Sequence, residues 1–276
     1  MKATEVVNHE IDILIDAIKL RYGYDFKDYA RTSLKRRLLR RVEKSKMECI
    51  SDMVPKIMHD PQFFCLFLQD MSITVTEMFR DPFVFKSIRE NIVSHLHTYS
   101  RINIWHAGCA TGEEAYSMAI LLEEEGLLSR CRIYATDYNN HSLDIAKKGI
   151  YSADKINKFN ANYEESGGRR SFSRYYHENY ESFKINSSLK DKITFANHNL
   201  MYDKAFAQMH LVLCRNVMIY FNRDLQNRCL KLFKESIENR CFLILGDKEN
   251  IDFTEVKSDF DVYQKKESIY RKKKFA

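Results

Sequence analysis

One run near the middle of the chain concentrates residues able to do chemistry: Ile104-Trp105-His106-Ala107-Gly108-Cys109-Ala110-Thr111-Gly112-Glu113-Glu114-Ala115-Tyr116-Ser117. An apolar strand gives way to a loop with glycines at 108 and 112 and then to a helix, an arrangement that lets a ligand approach the backbone at a strand's carboxyl end. The run is neither the G-x-G-x-x-G dinucleotide pattern nor a G-K-[ST] phosphate loop. Glu113 and Glu114 open the helix, where a pyrophosphate would meet two negative charges, so a ligand carrying positive charge suits the loop better. Simple pairing of both acids with the helix dipole is the competing use. A second acid, Asp137 in Ala135-Thr136-Asp137, ends the next strand some 25 residues beyond Gly112. Doubly wound folds bond ribose hydroxyls there, although an Asp at that place can also cap the following helix. A third strand ends at Cys214-Arg215-Asn216, which puts Arg215 and Asn216 at the same edge, with Tyr220 a candidate for the same crevice. Singly, Arg215 reads equally as a surface ion pair and Tyr220 as a core residue.

As a group these residues describe a pocket for an adenosine with a cationic centre and no phosphate. S-adenosylmethionine meets that description, because its sulfonium and ammonium are positive.

The elements that must hold these residues follow from periodicity. Ile11, Leu14, Ile15 and Ile18 recur at helical spacing, as do Leu34, Leu38 and Val42 within a basic segment, so the front of the chain reads as a helical block. Asp60-Pro61 and Asp81-Pro82 look like helix starts, Asp capping and Pro at the first helical position. From Ile102 onward β-rich runs alternate with amphipathic stretches, the pattern of a parallel sheet covered by helices. Strands are expected at 102–106, 132–136, 193–196, 210–213 and 241–245, and helices at about 113–124, 142–148 and 223–237. Two further strands, 261–264 and 268–271, are close enough to pair as a hairpin, which makes the sheet mixed at one edge. The polar stretch 150–191 is too long for a plain connection; it reads as an inserted subdomain with antiparallel strands near 181–185, or as a flexible lid.

Composition bounds the rest. The chain has 276 residues, 44 Lys and Arg against 38 Asp and Glu, and a net charge of +6, mildly basic and unlike a nucleic-acid-binding tail. Only 8 Gly and 3 Pro occur, which excludes collagen-like and low-complexity architectures. Seven Cys without a Cys-x-x-Cys suggest neither a disulfide framework nor a zinc ribbon, and read as reduced packing residues. No apolar run approaches the roughly 20 residues needed to span a bilayer, and Met1 to Glu10 lacks a signal-type apolar region. A cytoplasmic, monomeric protein is expected. His95 and His97, spaced two apart, do not share a helical face, and no metal site is expected.

Five segments together resemble one family, the CheR-type chemotaxis receptor glutamate methyltransferases. They are Thr74-x-Thr76-x-Met78-Phe79-Arg80, Ala110 to Ser117, Ala135-Thr136-Asp137, Asn199-Leu200, and Cys214-Arg215-Asn216-Val217-Met218-Ile219-Tyr220-Phe221. The last is the most specific, and the likeness extends over nearly the whole chain. It implies an N-terminal helical domain over 1–72, a linker and connecting helix over 73–100, and a Rossmann-like α/β S-adenosylmethionine-dependent methyltransferase domain with a mixed sheet over 101–276. The insertion, 150–192, would be a small antiparallel β subdomain. It implies cofactor contacts from Thr74, Thr76, Arg80, Glu113, Asp137, Asn199, Leu200, Arg215 and Asn216, and catalytic roles for Tyr220 and Arg215. Three departures stand out: Thr74 where the family usually has Asn, Ala115 where Pro is common, and Gly246-Asp247-Lys248-Glu249-Asn250 where the family carries Gly-His-Ser-Glu-Asn.

The activity so implied is transfer of a methyl group from S-adenosylmethionine to receptor glutamates, with S-adenosylhomocysteine as product. The basic segment offers Arg36, Arg37, Arg40 and Arg41 as a face for the acidic helical tails of chemotaxis receptors. A solvated face is the plainer use of those charges, and nucleic acid a weaker one. Alternative functions are a non-catalytic cofactor-binding adaptor and a methyltransferase for another protein or a nucleic-acid substrate.

Overall fold

The computed structural model describes residues 3–71 and 76–274. Its contacts divide the chain into two units, one of Met1–Ile73 with Tyr220–Gln226, the other of Thr74–Ile219 with Asn227–Ala276.

The first unit is helical: α1 (Ala3–Tyr22), α2 (Arg31–Lys44), α3 (Met53–His59) and α4 (Pro61–Met71). Ile11, Leu14, Ile15 and Ile18 are buried as their spacing requires, and Phe26, Leu34, Leu38 and Phe67 join them. Asp60 caps α4, its Oδ1 accepting from the amides of Gln62 at 2.9 Å and Phe63 at 3.1 Å, with Pro61 at the first helical position. The Tyr220–Gln226 segment is stitched to this unit by Ala30 N to Tyr220 O at 2.9 Å and Asn222 N to Asp28 O at 2.8 Å.

The basic helix departs from expectation. Arg37 and Arg41 are buried beside Leu34, Leu38 and Val42, and do not share an outward charged face with their neighbours. Arg41 pairs with Asp70 and donates to Leu66 O at 3.0 Å, while Arg37 donates to Met71 O and lies with its Cζ 4.2 Å from the Tyr220 ring centroid. Helix α4 supplies the acid and the carbonyls, a long-range pairing that periodicity in α2 does not encode. Arg36 and Arg40 remain exposed.

The second unit opens with α5 (Pro82–Ser87), a π-helical turn over Ile88–Ile92 and α6 (Val93–Leu96). Asp81 does not cap α5: its backbone is left-handed at φ 55° and its side chain makes no cap bond. The sheet and its helices follow as β1 (Ile102–Ala107), α7 (Glu113–Glu124), β2 (Cys131–Asp137) and α8 (Asn140–Lys148). Next come β3 (Ile150–Ser152), α9 (Ile156–Glu165), β4 (Tyr176–Asn179), β5 (Ser182–Ile185), α10 (Ser187–Lys190) and β6 (Ile193–Asn197). The chain closes with β7 (Met209–Cys214), α11 (Arg223–Ser236), β8 (Ile237–Leu245), β9 (Phe260–Gln264) and β10 (Ile269–Lys272). Seven strands form one sheet in the order β6-β2-β1-β7-β8-β10-β9, parallel from β6 to β8 and antiparallel where β10 joins β8 and β9. The mixed edge is therefore as expected. All seven cysteines are free.

The insertion forms a second sheet, β3-β5-β4. Its aromatics Tyr151, Phe159, Tyr163, Phe172, Tyr175 and Phe183 are buried in the same core as α7 and β1, which makes it an extension of that core and not a lid. Tyr163 and Tyr175 both donate to Glu124, the latter at 2.8 Å, and Tyr151 donates to Thr111 O at 2.7 Å.

Both loop glycines have a packing reason. Gly108 (φ +80°) would place a Cβ 2.5 Å from Val217 Cγ2, and Gly112 (φ +92°) one 2.9 Å from the Ala146 Cβ. Protein atoms, and not open space for a ligand, thus occupy the volume a side chain would need. Gly108→Ala is expected to destabilise the second unit by about 1–3 kcal/mol through overpacking. Denaturant unfolding followed by Trp105 fluorescence measures this, since Trp105 is the single tryptophan and is fully buried in β1.

Candidate active site

The carboxyl ends of β1, β2, β6 and β7 lie side by side, and the loops leaving them carry most of the candidate residues. Gly108 N and Cys109 N both donate to Thr136 O, at 2.8 and 2.9 Å, tying the loop after β1 to the end of β2. Asp137 is buried there, its Oδ2 accepting from Ala110 N and its Oδ1 from Asn139 N, each at 2.9 Å. The cap of α8 is Asn139, whose side chain accepts from His141 N and Ser142 N, so the capping role open to Asp137 is filled by its neighbour. Burial raises the Asp137 pKa despite the amide donors. Each carboxylate oxygen can accept more than one bond, so Asp137 retains acceptor capacity for hydroxyls.

The two glutamates that open α7 have different fates. Glu113 is buried, takes a 2.6 Å bond from Thr111 Oγ1, and forms no ion pair among the described residues. Burial pushes its pKa up to about 7. Glu114 instead binds Arg215 Nη1 at 2.9 Å and His106 Nδ1 at 2.9 Å. Burial alone would raise its pKa, but the bond from His106 and the charge of Arg215 hold it below the ordinary carboxyl range. The expectation of two acids facing a ligand therefore reduces to one.

Arg215 is the centre of this network, with 1% of its side chain exposed. Its Nη2 donates to Asp81 Oδ2 at 2.6 Å and Arg80 O at 3.1 Å. That explains the left-handed Asp81, whose carboxylate serves Arg215 and not the helix end. The same segment is fixed to α7 by Phe79 N donating to Ser117 Oγ at 2.8 Å. Thr76 and Arg80 sit on it, both half-buried; Thr74 lies outside the described residues.

Asn216 (φ 59°) begins a loop gathered by one carboxylate that sequence reasoning missed. Glu249 accepts from Gly246 N and Asn216 N at 2.8 Å, Val217 N at 2.9 Å and Ile219 N at 3.1 Å. Asp247 and Lys248 are exposed, so the departure from the family pattern falls on solvent-facing positions beside a retained Glu249. The available signal was an acid three residues after Gly246, the residue that follows β8. His106 was missed as well, being read only as a strand residue.

Beyond β6, Asn199 folds its loop locally: its Oδ1 accepts from Met201 N at 3.0 Å, and its own N–H donates to Asp203 Oδ2 at 2.7 Å. Leu200 is buried. Tyr220, with Arg36, Arg37, Arg40 and Arg41, belongs to the helical unit.

The donor set fits S-adenosylmethionine. A buried carboxylate in no ion pair among the described residues, Glu113, suits a cationic ligand, and Asp137 has acceptor capacity at the end of the adjacent strand. Between pH 4.5 and about 7 the folded chain keeps the Glu113 proton that the unfolded chain has lost, so this group makes stability fall as pH rises through that window. A bound cation favours the ionised form. Affinity for S-adenosylmethionine is accordingly expected to rise by about tenfold in all between pH 6 and 8, and to be flat in Glu113→Gln, as titration calorimetry would measure. Arg215→Met leaves Glu114 and Asp81 facing each other without their cation and is expected to cost about 3–5 kcal/mol of stability in denaturant unfolding.

Comparison with known proteins gives the family. Residues 74–269 match the CheR methyltransferase SAM binding domain, and residues 9–72 the CheR methyltransferase all-alpha domain. The protein named Cher3 of Pseudomonas putida is 49% identical over 263 residues, 95% of this chain and 96% of its own length. A chemotaxis protein methyltransferase of Listeria innocua is 27% identical over 236 residues, covering 85% of this chain and 87% of its own. One of Vibrio anguillarum is 28% identical over 228 residues, covering 76% and 78%. Matched over both domains, the chain belongs to the CheR methyltransferase family and is an S-adenosylmethionine-dependent methyltransferase.

Proposed function

We propose that this protein methylates glutamate side chains on the cytoplasmic helical tails of chemotaxis receptors, forming γ-glutamyl methyl esters. The reading is supported by the chemotaxis protein methyltransferases it resembles over most of their length. The observation that carries it is the site's division of charge, with Glu113 in no ion pair among the described residues while Glu114 and Asp81 are spent on Arg215. When bound, S-adenosylmethionine supplies an electrophilic methyl group. An acceptor glutamate with pKa near 4.3 is already ionised at pH 7, so the chain needs no strong general base. Its residues have to bind, orient and exclude water. In this reading Glu113 and Asp137 hold the cofactor, with Thr76, Arg80, Asn199, Leu200 and Asn216 around it and Thr74 as a further contact. Arg215 fixes the strand-end loop, and Tyr220 orients the acceptor carboxylate. Exposed Arg36 and Arg40 steer acidic tails by charge. The protein acts in the cytoplasm as a monomer; no described helix is long and apolar enough to cross a membrane.

The test is incubation with methyl-labelled cofactor and a receptor cytoplasmic fragment, alongside the fragment with its acceptor Glu residues changed to Gln. Base-labile label on the first and none on the second is expected. Tight S-adenosylhomocysteine binding with no ester on any receptor fragment would replace the reading by a non-catalytic adaptor, and label on RNA by a nucleic-acid enzyme. Tyr220→Phe is expected to lower kcat about tenfold or more with cofactor affinity nearly unchanged; an unaltered kcat removes Tyr220 from the mechanism.

A further inference from the structure

We propose a second ligand site, for a phosphate-bearing small molecule, at the opposite edge of the main sheet, where β6, β2 and β1 begin. The parallel register places like charges side by side there. Arg132 and Lys192 immediately precede the registered pair Ile133↔Ile193, and Arg101 and Arg130 immediately precede Ile102↔Cys131. Neighbouring strands lie about 4.8 Å apart, and like charges directly opposite one another destabilise a sheet.

Four other cations of this unit meet acids: Lys231 with Glu255 at 2.6 Å, Lys257 with Asp252 at 2.7 Å, Lys234 with Asp259 at 2.8 Å and Arg169 with Glu125 at 3.1 Å. Among the described residues, no carboxylate pairs with the side chains of Arg101, Arg132 or Lys192. Asp191 and Glu238 line the same cavity without closing on them. Arg130 is held in place, donating to Tyr99 O at 3.0 Å with His97 Nδ1 3.3 Å away.

These four cations face one cavity of about 1320 Å³, which also presents Ser100, Ser129 and the ring of Tyr134. Guanidinium groups pair bidentately with phosphate oxygens, and serine hydroxyls add neutral donors. A compact polyanion bridging Lys192, Arg132 and Arg101 would remove the cross-strand repulsion. A ligand at these amino ends does not compete with one at the carboxyl ends, where Glu113 and Asp137 stand.

The test is thermal unfolding of the full chain at fixed ionic strength, read by Trp105 fluorescence so that the sheet itself is reported. Inorganic triphosphate and ATP are the two probes. At ten times its dissociation constant, either is expected to raise the midpoint by about 2–4 °C; at equal concentrations of the two, a larger rise with ATP makes the nucleoside part of the ligand, and equal rises make the phosphates sufficient. The double variant Arg132→Gln with Lys192→Gln is expected to start from a higher midpoint without anion and to show no response. Its S-adenosylhomocysteine affinity, equal to that of the parent, establishes that the fold is intact. A response undiminished in the double variant, or no response in the parent, overturns the proposal. Arg36→Gln with Arg40→Gln, which removes charge from the basic helix α2, and Lys147→Gln with Lys184→Gln, which removes it from a second lysine-lined pocket, should each leave the response intact.

Discussion

A guanidinium as thoroughly buried as that of Arg215 must be matched by charge, and the second unit is arranged around meeting that demand. Taking a cation out of water costs several kcal/mol unless acids and hydrogen bonds replace the solvent. Glu114 comes from the start of α7, Asp81 from the residue before α5, and the carbonyl of Arg80 from its neighbour. The segment before α5, the first turn of α7 and the end of β7 are thereby fixed to one planar fork. Asp81 takes up a left-handed conformation to serve it. His106, buried in β1, holds the second oxygen of Glu114 and adds a fourth element to the same network.

The consequence for chemistry is a separation of roles between adjacent acids. Glu114 is neutralised by Arg215 and lies below the ordinary carboxyl range, whereas Glu113 takes a hydroxyl bond, forms no ion pair among the described residues and is pushed up to about 7 by burial. One acid is used to build the site; the other is held close to the balance between its neutral and ionised forms, and under the proposed function a cationic cofactor would tip that balance. Glu249 does comparable work on the backbone, gathering four amides so that the loop after β7 keeps one shape.

Much of this was legible beforehand. Helix α7 has the bounds expected from its pattern, and the seven main-sheet strands fall where β-rich runs were noted, usually a residue or more longer. Apolar alternation and helical spacing are local properties, and burial of an apolar face is what local pattern predicts. The mixed edge was legible for the same reason; of the insertion's strands only β5 was foreseen, near 181–185, because that stretch is mostly polar and β3 and β4 carry little pattern. Polar side chains were less so. Asp81 looked like a cap because Asp-Pro usually is one, and Arg37 and Arg41 looked solvent-facing because basic residues usually are.

What the sequence determined on its own is the order and type of the elements, the placing of Glu113, Asp137, Arg215 and Asn216 at the ends of strands that form one edge, and, through its motifs, the family and cofactor. Tertiary structure alone decided how the charges are spent: Glu114 on Arg215 and His106, Asp81 on Arg215, Arg41 on Asp70, and Glu249 on four backbone amides. The reason is range. Hydrophobic periodicity acts within a few residues, whereas Arg215 meets Glu114 across 101 positions and Asp81 across 134. A charge must be matched by whichever partner the fold brings within reach.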